Sequence, residues 1–166
     1  MRRRSFLAAT GLGATVGLGG CLNGEVVVSL SMTERIPASQ GWSREIEEPD
    51  GSGELSYTVR SEHHRFETFY FRDAEAYQRY QRATRVEDEM PENPPVGDKS
   101  LRSVAMENSE AGVYEASVPR DGGRTSVNFD RTHYFVVDNS TYGEIQVGKT
   151  ADLPVSISLE VVEDRF

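Results

Sequence analysis

Val155-Ser156-Ile157-Ser158-Leu159-Glu160-Val161 decides the fold. Val155, Ile157, Leu159 and Val161 fall on one side of an extended chain, while Ser156, Ser158 and Glu160 fall on the other, because successive strand residues point to opposite faces. A helix would scatter the same residues around its circumference. Continued to Glu163, the segment reads as a strand with one buried and one solvated face.

The same period recurs upstream. Val26, Val28, Leu30 and Met32 alternate with Val27, Ser29 and Ser31, and Leu55, Tyr57 and Val59 alternate with Ser56, Thr58 and Arg60. Further strands are expected at His64–Phe71, Leu101–Met106, Val113–Val118, Thr125–Phe129 and His133–Val137. The last is apolar or aromatic on both faces, as a central strand between two layers must be. Asp50-Gly51-Ser52-Gly53, Glu110-Ala111-Gly112, Asp121-Gly122-Gly123 and Asp138-Asn139-Ser140 supply the turns. Short strands at this spacing predict a mainly β protein, an antiparallel β-sandwich of seven or eight strands.

One short helix interrupts them. Asp73 is placed to cap it, Glu75 lies in its first turn, and Ala76, Tyr77, Tyr80 and Thr84 recur at helical spacing. Val86–Lys99, rich in acids and holding Pro91, Pro94 and Pro95, is expected to be a long solvated loop. Trp42 is most simply a packing residue.

The N-terminal segment has a different character. Phe6–Leu18 is a weakly apolar run of 13 residues, diluted by Gly11, Gly13 and Gly17. It is too short to span a bilayer, which takes about 20 apolar residues. Arg2, Arg3 and Arg4 precede it, as in a signal peptide. Arg3-Arg4 followed by Phe6-Leu7 resembles the twin-arginine export signal. Leu18-Gly19-Gly20-Cys21 resembles a lipobox, and Cys21 is the only cysteine in the chain. The resemblance implies removal of residues 1–20, a lipid on Cys21, a tether over residues 21–24 and a sandwich domain over residues 25–166. One acyl chain holds marginally and two hold stably, so the anchor would be a two-chain, palmitate-like lipid. The protein is then expected on the extracellular face of the cell membrane.

Composition narrows the partners. Without residues 1–20 the chain keeps 15 basic and 27 acidic residues, a net charge of −12, and arginine outnumbers lysine 16 to 2 in the whole chain. Acidity with so little lysine is similar to haloarchaeal proteins, whose carboxylates keep surfaces hydrated in molar salt. Such salt shrinks the screening length to about 3 Å and relieves self-repulsion. The same balance argues against nucleic acid as a partner, since the sequence shows no basic stripe to neutralise phosphates. An anionic membrane gains no electrostatic attraction either, and the lipid must hold alone.

Tyr134-Phe135-Val136-Val137-Asp138-Asn139-Ser140, with Phe69-Tyr70-Phe71-Arg72-Asp73 leading into a Tyr77/Tyr80 helix, resembles small extracytoplasmic sandwiches of the GOLD-like type. That resemblance implies a fold and not a function. The broader resemblance is to haloarchaeal twin-arginine lipoproteins.

No catalytic pattern stands out. There is no Gly-x-Ser-x-Gly elbow, His-Glu-x-x-His helix, phosphate-binding glycine loop or calcium loop. A blue-copper site needs a cysteine thiolate, and Cys21 belongs to the tether. His63 and His64 are adjacent on a predicted strand and point apart, so no metal site or other cofactor is expected. Asn139-Ser140-Thr141 matches a glycosylation sequon, although Asp138-Asn139 makes a turn equally well. These readings predict a lipid-anchored cell-surface binding or interaction module for an envelope protein or small solute. The alternative is an envelope hydrolase or assembly factor whose active site carries no recognisable motif.

Overall fold

A computed structural model describes residues 24–47, 51–84, 92–143 and 150–164. Ten strands and one helix follow in order: β1 (Gly24–Ile36), β2 (Gln40–Ile46), β3 (Gly51–Ser61), β4 (Glu67–Phe71), α1 (Ala74–Ala83), β5 (Ser103–Val104), β6 (Met106–Asn108), β7 (Val113–Val118), β8 (Thr125–Phe129), β9 (His133–Asn139) and β10 (Leu153–Asp164). They form two antiparallel sheets. The larger runs β1-β10-β3-β7-β6, with β8 pairing with β3 alongside β7, and the smaller runs β2-β9-β4-β5.

The expected sandwich is therefore the observed fold, with more strands than seven or eight. β2 gave no signal because only Trp42 and Ile46 turn inward, so Gln40-Gly41-Trp42-Ser43-Arg44-Glu45 reads as polar. The expected strand over Leu101–Met106 is two strands. Ser103–Val104 pairs with β4 in the smaller sheet, and Met106–Asn108 pairs with β7 in the larger. The chain changes sheets at Ala105, whose N–H donates to the Phe66 carbonyl at 2.9 Å. The strand expected from His64 begins only at Glu67.

The core lies between the sheets. Leu55, Tyr57 and Val59 of β3 and Val155, Ile157, Leu159 and Val161 of β10 meet Ile46 of β2, Tyr70 of β4, and Phe135 and Val137 of β9. Period-2 burial in β10 is complete from Val155 to Val161, and Ser156 and Ser158 are exposed. Tyr57 carries a hydroxyl into this core. It donates to the Leu101 carbonyl at 2.7 Å and lies 2.7 Å from Thr68 Oγ1, tying the larger sheet to the smaller.

Helix α1 covers the other face of the smaller sheet. Asp73 caps it, accepting from the Ala76 N–H at 2.7 Å, and Ala76 and Tyr80 are its buried residues. They pack with Phe69, Phe71, Val136 and Tyr142 in a second cluster. Tyr77 stacks flat on Tyr134, with ring centres 4.2 Å apart. This double cover explains why all five residues of β4 are buried.

The expected solvated loop is only partly so. Residues 85–91 lie outside the described residues. Beyond them Pro94–Asp98 is half-buried along the margin of β4, where the Asp98 N–H donates to the Tyr70 carbonyl at 2.7 Å and Pro95 accepts from the Tyr142 hydroxyl at 2.5 Å.

Period-2 burial makes a paired expectation. Leu159→Ala should cost roughly 2–5 kcal/mol, whereas Ser158→Ala, one residue away on the exposed face, should stay within about 0.5 kcal/mol of the parent. Chemical denaturation of both variants checks it, and equal losses would refute the assigned faces.

Candidate functional site

Uneven covering of the two sheets singles out one surface. The smaller sheet has the core on one side and α1 on the other. No helix lies over the outer face of the larger sheet among the described residues. That face is built from the polar halves of the strand alternations, and strand register aligns them in rows. Ser31, Ser158, Thr58 and Ser117 form one row across β1, β10, β3 and β7. Thr33, Ser156, Arg60 and Glu115 form the next. Rows are spaced about 7 Å apart along a strand, and neighbours within a row are about 5 Å apart.

The surface is a lattice of hydroxyls closed on one side by an ion pair, with Arg60 Nε 2.6 Å from Glu115 Oε2. A shallow hollow of about 660 Å³ opens over Ser31, Thr33, Thr58, Arg60, Ser156 and Ser158. A second, of about 360 Å³, continues past Arg60 to Glu34, Glu62, His63, Val113 and Pro154. Hydroxyls both donate and accept, so the face can satisfy a polar ligand of either character. The sequence signal for it was present in the residues opposite the apolar ones. What single-strand patterns could not show is which strands stand side by side.

The polar residues of the smaller sheet are used differently. Asp138 is fully buried on the helix side of β9, and its Oδ1 accepts from the Tyr80 hydroxyl and the Ser140 hydroxyl, both at 2.7 Å. Gly41 of β2 stands opposite Asp138, and a Cβ there would lie 2.0 Å from the Tyr80 hydroxyl oxygen. A missing side chain is what lets Tyr80 reach the carboxylate. Burial and the Asp138 charge push the Tyr80 phenol well above its ordinary range, so it remains a donor. Glu67, opposite Asp138 on β4, is buried and accepts from Arg102 Nη2 at 2.7 Å. The Arg102 guanidinium also lies 5.2 Å from the centre of the Phe69 ring. Gly143 makes room for Glu67 in the same way as Gly41 does for Tyr80.

Asn139, the sequon asparagine, is fully buried. Its amide nitrogen donates toward the carbonyls of Ile36, Pro37 and Ala151 at 2.9–3.2 Å, and its carbonyl oxygen sits 2.9 Å from His64 Nε2. A glycan cannot occupy a nitrogen enclosed in this way. The glycosylation reading of Asn139 therefore does not suit the folded domain, and the side chain is a structural tie.

His63 is exposed at the smaller hollow, His64 is held by Asn139, and His133 is buried with Nδ1 2.9 Å from the Tyr70 hydroxyl. Among the described residues no three His, Cys, Asp or Glu side chains gather as a metal site. Trp42 packs against the core, edge-on to Phe135. The export and anchor residues Arg3, Arg4, Phe6, Leu7, Leu18, Gly19, Gly20 and Cys21 lie outside the described residues. No helix among the described residues is long and apolar enough to cross a membrane. No protein-family model matches the chain, and no curated protein matches it.

Two outcomes follow from this geometry. Asn139→Ala removes the amide that the Ile36, Pro37 and Ala151 carbonyls share at one end of the sandwich, and should cost roughly 1–3 kcal/mol by chemical denaturation. Burial lowers the His133 pKa below its ordinary 6.5, with the Arg72 charge adding to the effect. Below pH 6.5 the unfolded chain thus binds a proton that the folded chain resists, and this contribution to stability is lost as pH falls through the folded pKa. Thermal unfolding between neutral and mildly acidic pH should show a smaller decline for His133→Gln than for the parent. An identical decline would exclude His133 as a cause.

Proposed function

We propose that the chain is a binding module held on the outer face of the cell membrane by a lipid on Cys21, after export by the twin-arginine route. The outer face of the larger sheet is its contact surface, for an envelope protein or a small solute. The observation that carries this reading is the contrast between the two sheets. One is covered on both sides, while the other presents aligned rows of Ser and Thr hydroxyls over a hollow of about 660 Å³. A large polar face without cover costs a fold nothing and leaves groups ready to bond with a ligand.

Several sequence features support the location. Leu18-Gly19-Gly20 leads to the lone Cys21, Arg3-Arg4 precedes Phe6-Leu7, and β1 begins only three residues after the cysteine. Three extended residues reach about 10 Å, so the domain would sit close against its anchor. Acidic residues gather at that end: Glu25 stands opposite Glu163, with Asp164 beside it. Repulsion from anionic headgroups would keep that end in water, leaving attachment to the lipid.

Cys21→Ser should release the domain from membranes or stop maturation; a cleaved Cys21→Ser protein that still sediments with membranes would overturn the anchor. Replacing Arg3-Arg4 by Lys-Lys should retain precursor in the cytoplasm, and normal export would overturn the route. Ser158→Arg places a long cation in the middle of the hydroxyl rows without touching the core. In intact cells it should abolish chemical cross-links to the envelope that the parent forms. Unchanged cross-links would move the contact surface elsewhere.

A further inference from the structure

The longest strand of the larger sheet is also its edge. β1 pairs with β10 along one side, and among the described residues no strand meets its other side. Strands at the remaining margins are short: β2 has seven residues, β8 five, β6 three and β5 two. Proteins blunt exposed edges by shortness, proline or charge, because unpaired N–H and C=O groups attract another strand. Over its 13 residues β1 is not short, and from Val26 to Thr33 it has neither a charge nor a proline. Val26 and Val27 are 51% and 39% exposed, and Val28, Leu30 and Met32 are only partly buried against the core. A bulge between Val26 and Val28 interrupts the pairing with β10 near its start, and from Val28 to Ile36 the strand is regular.

We propose that this edge pairs with β1 of a second copy of the chain, antiparallel and two-fold, centred on Leu30. A two-fold contact sets one patch against itself, so the patch must be self-complementary. Centred on Leu30, the ladder places Val28 opposite Met32 and Leu30 opposite Leu30 on the core side. On the outer side it places Ser29 opposite Ser31. Apolar thus meets apolar and hydroxyl meets hydroxyl. A slip of one residue would set Leu30 against Ser31 and mix the faces. A slip of two in one direction would set Val28 against Glu34, and in the other would leave only Val28–Leu30 of each copy clear of the bulge, against Val28–Met32 when centred on Leu30.

Charge favours the same site. Two copies of an acidic chain repel, and a neutral stripe is where that repulsion is least. Its flanks carry both signs, with Glu25 at one end and Glu34 and Arg35 at the other. Arg35 is 70% exposed at its side chain, and its contact with Asp152 is a long 3.8 Å. The pairing would join the two larger sheets into one. It would also carry the row Ser117-Thr58-Ser158-Ser31 on through Ser29 of the second copy. The two Gly24 residues would stand about 40 Å apart at a rise of about 3.4 Å per residue. Both anchors could then reach one membrane only with the strands lying along it.

The test uses the purified full-length chain. Sedimentation from low to high micromolar concentration should show a mass of two copies. Ser29→Cys and Ser31→Cys change exposed positions and should leave the circular dichroism of the parent unchanged. Oxidised together, the two variants should give several-fold more cross-linked dimer than either alone or the unsubstituted chain, which carries Cys21. Leu30→Cys should cross-link with itself, since directly opposed strand residues lie within disulfide reach. A monomeric mass at every concentration would overturn the proposal. So would a dimer in which the mixture of Ser29→Cys and Ser31→Cys shows no excess of cross-linking, for it would be joined elsewhere.

Discussion

The hydrogen bonds of Asp138 and Asn139 hold the rest of the molecule in register. Adjacent strand residues point to opposite faces, and this pair uses both. Asp138 turns toward the helix and takes the hydroxyls of Tyr80 and Ser140. Asn139 turns the other way and bonds to Ile36 at the end of β1, Pro37 in the following turn, Ala151 before β10, and His64 between β3 and β4. One dipeptide therefore fixes the helix to the smaller sheet and fastens the chain segments that pass between sheets. Buried polar groups cost stability when they lack partners, so the bonds that this pair makes favour one arrangement where apolar contact alone would allow several.

Much of the fold was legible in the sequence, and the reasons differ by element. β10 and β3 were plain because one face is entirely core and the other solvent. Helix α1 was plain from Asp73 and the Ala76/Tyr80 spacing. β2 was invisible because its strand identity comes from pairing with β9; its own side chains are mostly polar. The division at Ala105 was invisible for a related reason, since only the positions of β4 and β7 reveal that Ser103 and Met106 serve different sheets. Asn139 was left open between a sequon and a turn because a sequon and a buried tie use the same residue, and local sequence carries nothing about which carbonyls converge on it. The rows of the candidate site were half legible. Their members appeared as the solvent side of each strand, but their alignment is a property of tertiary register.

Ionic groups divide the same way. Glu67 and Arg102 pair away from solvent, where truncating either partner would strand the other's charge. Arg60–Glu115 and Arg131–Asp130 are exposed pairs of small energetic value. The acidic surplus at the margins bears on solubility and on approach between molecules, and it has little part in choosing the fold.

Covering the smaller sheet on both sides has a consequence for how this protein can change over generations. In β4 and β9 consecutive residues answer to two different neighbours, the core and the helix, so almost no position tolerates drift. On the larger sheet every second residue faces outward and, apart from ion pairs such as Arg60–Glu115, answers to water. Stability is thus vested in the space between the sheets and under the helix, and variation is free to accumulate on the outer face of the larger sheet. A lineage could rewrite the hydroxyl rows, and with them what the surface recognises, without touching the interactions that fold it.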